Sequence, residues 1–222
     1  MGISERRERE KEALRTRIIE AARDIVSEEG VEALSMRAIA ERIEYSAGTI
    51  YLYFRDKEEL VREVVREGFH RMGLCVQQEM EESAPGGNPA LQHRCLGRAY
   101  VKFALENTAY FRVMFELPGV PRMECPSDCE SQAHEFADES GWAATVATVQ
   151  GAMDAGLISI PDAQEGAIIS WGLVHGLTSL YLSGHLGRAI GTHDEFLQLV
   201  ERAMDSLGEG WSTAKTMIEQ RT

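Results

Sequence analysis

Residues 34–60 read LSMRAIAERIEYSAGTIYLYFRDKEEL, and this stretch decides how the 222-residue chain folds. Two short amphipathic segments lie on either side of a tight break. Ser35 stands where it can cap the first, whose apolar face is Met36, Ile39, Ala40 and Ile43. Ser46 can cap the second, with Ile50 and Phe54 facing inward. Asp56 and Glu59 form a D-x-x-E variant of the capping box that opens a longer helix. A helix-turn-helix has this form when its second helix presents its first turn to a DNA major groove.

Helical periodicity continues in both directions, and no alternating strand pattern interrupts it. Upstream, Leu14, Ile18, Ala22, Ile25 and Val26 form one stripe, which Gly30 ends where a left-handed C-cap usually sits. Downstream, Leu60, Val61, Val64, Val65, Phe69, Met72 and Val76 run along the helix opened by Asp56. The segment 83–89, SAPGGNP, is the clearest break. Residues 90–107 and 108–116 read as helical, and 117–130 as irregular. Helical spacing resumes over 131–155, through Trp142, Val146, Val149 and Met153, and closes at Gly156. Pro161 begins a long helix predicted to reach about Gly187, and Thr192 with Glu195 caps another bearing Phe196, Leu199, Val200, Ala203 and Leu207. The pattern after Gly208 is ambiguous. The expected fold is all-α, with about nine helices in two domains. Residues 1–61 (core 10–57) form the helix-turn-helix domain and 62–222 a second helical domain, the boundary falling inside the long helix.

Composition is that of an ordinary globular chain, 44% hydrophobic and 27% charged. No apolar run reaches the ~18 residues that span a bilayer. The opening MGISERRERE puts charges where a secretory signal has its apolar segment, so a cytoplasmic protein is expected. Net charge is -13, which opposes general attraction to a polyanion. The charge is uneven: residues 1–60 carry 11 basic and 14 acidic side chains, the remaining residues 12 and 22. Such a reading head must rely on a few well-placed contacts. Cys75 and Cys95 fall in helical patterns and read as reduced, buried thiols. Cys125 and Cys129 are spaced C-x3-C with Glu124, Asp128 and His134 nearby. No second pair completes a structural metal site, so the segment reads as a polar loop with a metal or redox role as the alternative, and no metal or cofactor is assigned.

Each residue of the helix-turn-helix has a physical task. Arg37 can offer a phosphate its charged fork. Ala47 and Gly48 keep the leading edge of the second helix thin. Ser46 and Thr49 supply hydroxyls, Thr49 also a methyl for thymine. Tyr51 and Tyr53 are spaced to project phenols toward the sugar-phosphate chain, and Lys57 lies in a first turn that favours anions.

Three clusters, Arg37-Ala38-Ile39-Ala40, Ser46-Ala47-Gly48-Thr49-Ile50-Tyr51 and Tyr53-Phe54-x-x-Lys57-x-x-Leu60, closely resemble the DNA-binding domain of the tetracycline-repressor (TetR) family. The resemblance implies an all-helical homodimer on a palindromic double-stranded operator, released by a small-molecule effector held in the C-terminal domain. It assigns DNA contacts to Arg37, Ser46, Ala47, Thr49, Tyr51, Tyr53 and Lys57, to which the thin leading edge of the helix adds Gly48. Glu44 departs from the pattern, because the family commonly places Gly in this turn. A side chain there must accept a strained φ or alter the turn.

Trp171-Gly172-x-x-His175-Gly176-x-x-Ser179-Leu180 is similar to a subgroup of the same family whose C-terminal domain carries Trp, His and Gly at these places. Gly172 and Gly176, with Ser179 and Ser183, give one helix a small-residue face. That face suits a four-helix dimer interface with Phe196, Leu199, Val200 and Ala203, or else a close contact within the chain. His175 is open to three roles: ligand contact, pH-sensitive group or hydrogen-bonded core residue. Phe103, Tyr110, Phe111, Met114, Phe115, Trp142, Val146, Trp171 and His175 are the candidates for an effector pocket, with ordinary core as the alternative for each. Two other functions remain in view: a constitutive DNA-binding or adaptor protein, and an enzyme. The six histidines are scattered, at 70, 93, 134, 175, 185 and 193, and no local motif assembles a catalytic group from them.

Overall fold

The computed structural model describes residues 3–83, 89–120 and 141–219, and among these it is all-α, with nine α-helices. They are α1 (Ile3–Glu29), α2 (Met36–Ile43), α3 (Ala47–Tyr51), α4 (Lys57–Ser83), α5 (Pro89–Glu106), α6 (Thr108–Phe111), α7 (Trp142–Asp154), α8 (Ala163–Leu182) and α9 (His193–Glu219). A 3-10 turn, Val31–Ala33, precedes α2, and a π turn, Arg112–Glu116, follows α6. The segment holding Cys125, Cys129, Glu124, Asp128 and His134 lies outside the described residues.

The chain divides into two compact units, Met1–Gly68 with Asn107–Asp128 and Phe69–Glu106 with Cys129–Thr222. The first therefore reaches beyond residue 61 and takes in α6 and the π turn, which pack on α1. Its core is the face expected from periodicity: Ile18, Ala22, Val26, Ile39, Ile50, Phe54, Leu60 and Val64 are all essentially inaccessible to water. Burying each large apolar side chain contributes about 1.5–3 kcal/mol, which holds together elements too short to stand alone. Gly68 lets the π turn approach α4 closely, since a Cβ there would lie 2.4 Å from Met114 Sδ. Arg15 ties α1 to α4 through a hydrogen-bonded ion pair with Glu63. Burial pushes the Glu63 carboxyl up, but hydrogen bonds from Arg66 and Arg15 outweigh it and hold it below its ordinary value.

The turn after α2 resolves the question raised by Glu44. Its φ is 61° and ψ 42°, the left-handed conformation, and it is the single non-glycine with positive φ among the described residues. Tyr45 N–H donates to Ala40 O at 2.9 Å and Glu44 N–H to Glu41 O at 3.4 Å, the paired bonds of a Schellman motif. Arg17 reinforces the turn, donating to Ile43 O at 3.2 Å with its guanidinium 5.5 Å from the Tyr45 ring centroid. The turn thus keeps its shape and the glutamate bears the strain. Gly30 differs from expectation: its φ of 88° is positive, but ψ is 167°, so it leads into the 3-10 turn through extended backbone open to glycine alone.

The second unit packs α5, α7, α8 and α9 side by side, with α5 touching each of the other three. Gly166 sits where a Cβ would meet Ile160 Cδ1 at 2.4 Å and Val149 Cγ1 at 2.9 Å. α8 begins at its Asp162 cap and stops at Leu182, short of the Gly187 expected. The stop is another Schellman motif: Gly184, with φ 80°, donates to Tyr181 O and His185 N–H to Leu180 O, each at 3.0 Å. Thr192 and Glu195 form the reciprocal capping box, and α9 runs on through Gly208 to Glu219.

Glu44→Gly is expected to stabilise the protein by about 1 kcal/mol, the left-handed penalty less glycine's entropy, and Glu44→Val to destabilise it by a similar amount. The check is the urea unfolding midpoint at unchanged slope.

Candidate nucleic-acid interface

Each end of the helix-turn-helix is held by a side chain placed for it. Ser35 Oγ accepts from Ala38 N–H at 3.1 Å and Ser46 Oγ from Thr49 N–H at 3.2 Å. Ser46 Oγ also lies 2.9 Å from Thr49 Oγ1, so the two hydroxyls at the head of α3 hold one another in place. Asp56 Oδ1 accepts from Glu59 N–H at 2.7 Å, while Glu59 reaches back to Arg55 N–H at 2.7 Å, one residue earlier than a capping box has it. Hydrogen bonds from the Arg55 side chain and Glu59 N–H hold the Asp56 carboxyl below its ordinary value. α3 is therefore five residues long, capped at its start and anchored by Ile50 and Phe54, both 2% exposed or less.

What remains outside is the face assigned by sequence. Arg37, Ser46, Gly48 and Tyr51 are exposed, while Ala47, Thr49, Tyr53 and Lys57 are half-buried at its edge. Leu52 is 83% exposed, Tyr51 59% and Tyr45 43%, so the tip of α3 and the turn before it form an apolar, aromatic patch. Leu52 and Tyr45 were not among the sequence candidates. Their signal was present, since neither falls in phase with the buried Ile50 and Phe54.

Charge on this face is largely compensated. Arg37 Nε lies 2.9 Å from Glu41, Arg42 2.7 Å from Glu28, and Arg55 2.8 Å from Asp56. Lys57 has no acidic partner among the described residues. Exposed pairs such as Arg37–Glu41 are weak and exchange readily for a phosphate.

The nine candidates for an effector pocket divide between the two units. Tyr110, Phe111, Met114 and Phe115 belong to the first unit, the other five to the second. Phe103, Tyr110 and Phe111 are at most 1% exposed, filled core rather than lining. His175 Nδ1 lies 2.7 Å from Tyr100 Oη, and burial pushes its pKa down. Its ring neighbours Trp171, which meets Trp142 edge-on. Val146 packs in the cluster around Val149 and Ala167. A cavity of about 610 Å³ lies in the second unit between α5, α7, the Leu157–Ile158 segment and α9, with His93, Val149, Met204 and Trp211 on its walls. No sequence pattern pointed to it, because its walls come from four separated segments.

The interface candidates divide similarly. Phe196 and Val200 are buried within the chain, Phe196 stacked on Tyr181 at 4.1 Å, so the sequence assignment of these two to a subunit interface is corrected to core. Among the described residues nothing lies within 4 Å of a Cβ placed on Gly172 or Gly176, so no close contact with them explains these glycines. Ile168, Ile169, Trp171 and Leu180 on the same helix are 40–53% exposed. Ser179 is half-buried and Ser183 exposed on α8 and its cap, and Leu199 and Ala203 are half-buried on α9.

Among the described residues no group of three or more His, Cys, Asp or Glu side chains is placed to hold a metal, and no helix is long and apolar enough to cross a membrane.

Comparison with known proteins gives the same outline. Residues 18–64 match the family described as bacterial regulatory proteins, tetR family, and residues 94–207 that described as tetracyclin repressor-like, C-terminal domain. Over 89 residues the chain is 39% identical to the HTH-type transcriptional repressor KstR of Mycolicibacterium smegmatis, a stretch covering 40% of each protein. Matches to such curated relatives span only about a third to two-fifths of their length. A protein of unknown function from Rhodococcus sp. RHA1 has a similar structure, with TM-score 0.70 and 26% identity, covering 90% of this chain and 95% of that one. RolR in complex with its ligand resorcinol shares the fold at TM-score 0.55 and 21% identity, covering 88% and 87%.

Ser46→Ala removes both hydroxyl bonds at the start of α3 and is expected to cost about 1 kcal/mol. Faster hydrogen exchange at the Thr49 and Ile50 amides, with the second unit unchanged, is the measurement.

Proposed function

The chain belongs to the TetR family of bacterial regulatory proteins, and from that membership we propose a repressor that binds a palindromic operator as a homodimer and is released by a small effector held in the second unit. At the coarser level it is a DNA-binding transcriptional regulator, as the relatives it matches are named. One observation carries the DNA reading. Ile50 and Phe54 bury the back of the segment around the five-residue α3, leaving Thr49 and Tyr51 on the front of that helix and Lys57 at the start of α4. On this reading Ala47 and Gly48 let the α3 backbone approach base edges. Thr49 and Leu52 meet thymine methyls or sugars, and Arg37, Ser46, Tyr51, Tyr53 and Lys57 position the phosphates.

Two copies are needed because one such head makes too few contacts for a protein of net charge -13. The α8 face of Ile169, Gly172, Gly176, Leu180 and Ser183, flanked by Leu199 and Ala203, is the surface proposed to join them. Among the described residues nothing lies within 4 Å of a Cβ built on its glycines. The cavity in the second unit favours an effector-responsive protein over a constitutive adaptor, for which a filled core is expected. α4 is continuous across residue 68, so an effector that favours one placement of α4 changes the spacing of the two α3 helices. Successive major grooves on one face lie about 34 Å apart and tolerate little error. The effector's preference between the two states sets the response, about tenfold for each 1.4 kcal/mol.

Footprinting on the DNA upstream of the protein's own gene, with and without candidate small molecules, tests this function. Protection that no ligand relieves would refute effector control. Tyr53→Ala and Lys57→Ala are each expected to weaken operator binding across sequences and flatten its dependence on salt, as read by titration at several salt concentrations. Gly176→Leu is expected to leave the thermal midpoint nearly unchanged, yet shift the protein toward monomer in sedimentation equilibrium and reduce operator affinity. A Gly176→Leu protein that stays dimeric would place the interface elsewhere.

A further inference from the structure

The cavity between α5, α7 and α9 has an unusual balance of hydrogen-bonding capacity. Its hydroxyl hydrogens are already committed to backbone carbonyls. Thr148 Oγ1 donates to Ala144 O at 2.8 Å, and Ser212 Oγ to Leu157 O at 2.7 Å. Just behind the wall, Ser170 Oγ donates to Gly166 O at 2.8 Å. Each oxygen keeps lone pairs and has no proton left to give.

The Ser170 bond also fixes the state of His93. His93 Nε2 lies 3.0 Å from Ser170 Oγ, whose one hydrogen points to Gly166. Nε2 must therefore carry the proton and donate to Ser170. Burial lowers the His93 pKa, with the Asp205 charge opposing, so the ring is neutral at physiological pH. A neutral imidazole protonated at Nε2 leaves Nδ1 as an acceptor, and no other hydrogen bond or ion pair occupies His93 among the described residues. The remaining charges run the same way. Arg94 is the one cation on the cavity wall among the described residues, and its Nε is taken by Asp205 at 2.5 Å. The rest of the wall is apolar, including Val149, Ile158, Met204 and Trp211, whose ring centroid lies 6.0 Å from that of His93.

We propose that this cavity selects a neutral, mainly apolar molecule carrying a hydroxyl group, which donates its hydrogen to His93 Nδ1, and that it rejects carboxylates. The proposal rests on the reading of the second unit as an effector domain and adds to it the class of effector. A carboxylate brings no donor, and the arginine on the wall is already held by Asp205. An apolar molecule without a hydroxyl leaves a buried acceptor unpaired. The volume of about 610 Å³ is in the range that holds drug-sized ligands.

Three probes of one shape test it on the full-length protein by isothermal titration calorimetry: β-naphthol, β-methylnaphthalene and β-naphthoate. β-Naphthol is expected to bind about tenfold tighter than either of the others. His93→Phe is expected to bring β-naphthol and β-methylnaphthalene within about twofold of each other, and His93→Gln, whose amide oxygen accepts, to restore part of the difference. Should His93→Phe fail to fold, Ser170→Ala, which unpins the imidazole tautomer, is expected to narrow the same preference. Equal or tighter binding of β-naphthoate, equal binding of the two neutral probes, a preference that survives His93→Phe or, failing that, Ser170→Ala, or no binding of any probe would each overturn the proposal. Operator affinity measured alongside separates the two levels. Selective β-naphthol binding that leaves DNA affinity unchanged supports the cavity assignment and overturns effector control. Release of DNA by another compound, with β-naphthol unbound, overturns the cavity assignment alone.

Discussion

The recognition helix α3 has five residues, Ala47 to Tyr51, and a helix of that length has no stability of its own in water, because nucleation costs more than its few hydrogen bonds return. Its existence depends on burying Ile50 and Phe54 in the core of the first unit, and on hydroxyl and backbone bonds that satisfy both of its ends. The left-handed turn at Glu44 delivers the chain to Ser46 at the angle the cap requires, and Arg17 from α1 holds the carbonyl of Ile43 just before it. The same contacts that make α3 a helix therefore aim it. The residues left for DNA are those that neither the core nor the caps consume.

Charge explains why so little of the surface is left for that task. In a chain of net charge -13, nearly every arginine around the helix-turn-helix stands beside a carboxylate: Arg37 by Glu41, Arg42 by Glu28, Arg55 by Asp56, Arg15 by Glu63. These pairs reduce indiscriminate attraction to phosphate, so the proposed operator binding rests on shape and on a few groups such as Lys57 and the tyrosines. An exposed pair such as Arg37–Glu41 stays exchangeable, so a phosphate arriving in register can replace its glutamate while one out of register gains little. Glu44 belongs to the same balance, since an acidic group at the rim of the reading face penalises any docking that brings it near the backbone.

The second unit solves a different problem. Its helices are long enough to form from periodicity and packing, and its specific features lie where packing is incomplete. Small residues serve two opposite ends there. Gly166 is small because Ile160 and Val149 crowd it, whereas a Cβ on Gly172 or Gly176 would meet nothing within 4 Å among the described residues. A glycine costs helix propensity wherever it stands, so those without an internal neighbour call for an external one. The cavity beside α5 is the other place where packing stops short, and His93, pinned by Ser170, gives it a defined hydrogen-bonding sense.

Much of this could be read from the chain itself. The helix-turn-helix, its caps at Ser35, Ser46 and Asp56, its buried face and the outward residues from Arg37 to Lys57 all follow from interactions three or four residues apart, which the order of residues states directly. The strain at Glu44 was visible as a departure from glycine, although whether the turn or the residue would yield was not. Beyond that range the sequence is silent. An apolar stripe identifies a helix's inner side but not which neighbour covers each edge, so Phe196 and Val200 proved to be core while Leu199 and Ala203 stayed near the surface. A cavity belongs to no single helix: it is the space between four segments whose separation depends on every side chain packed around them. Local order thus determined the caps, the buried face and the outward face of the first unit, and only the packing of distant helices decided where the second leaves a cavity.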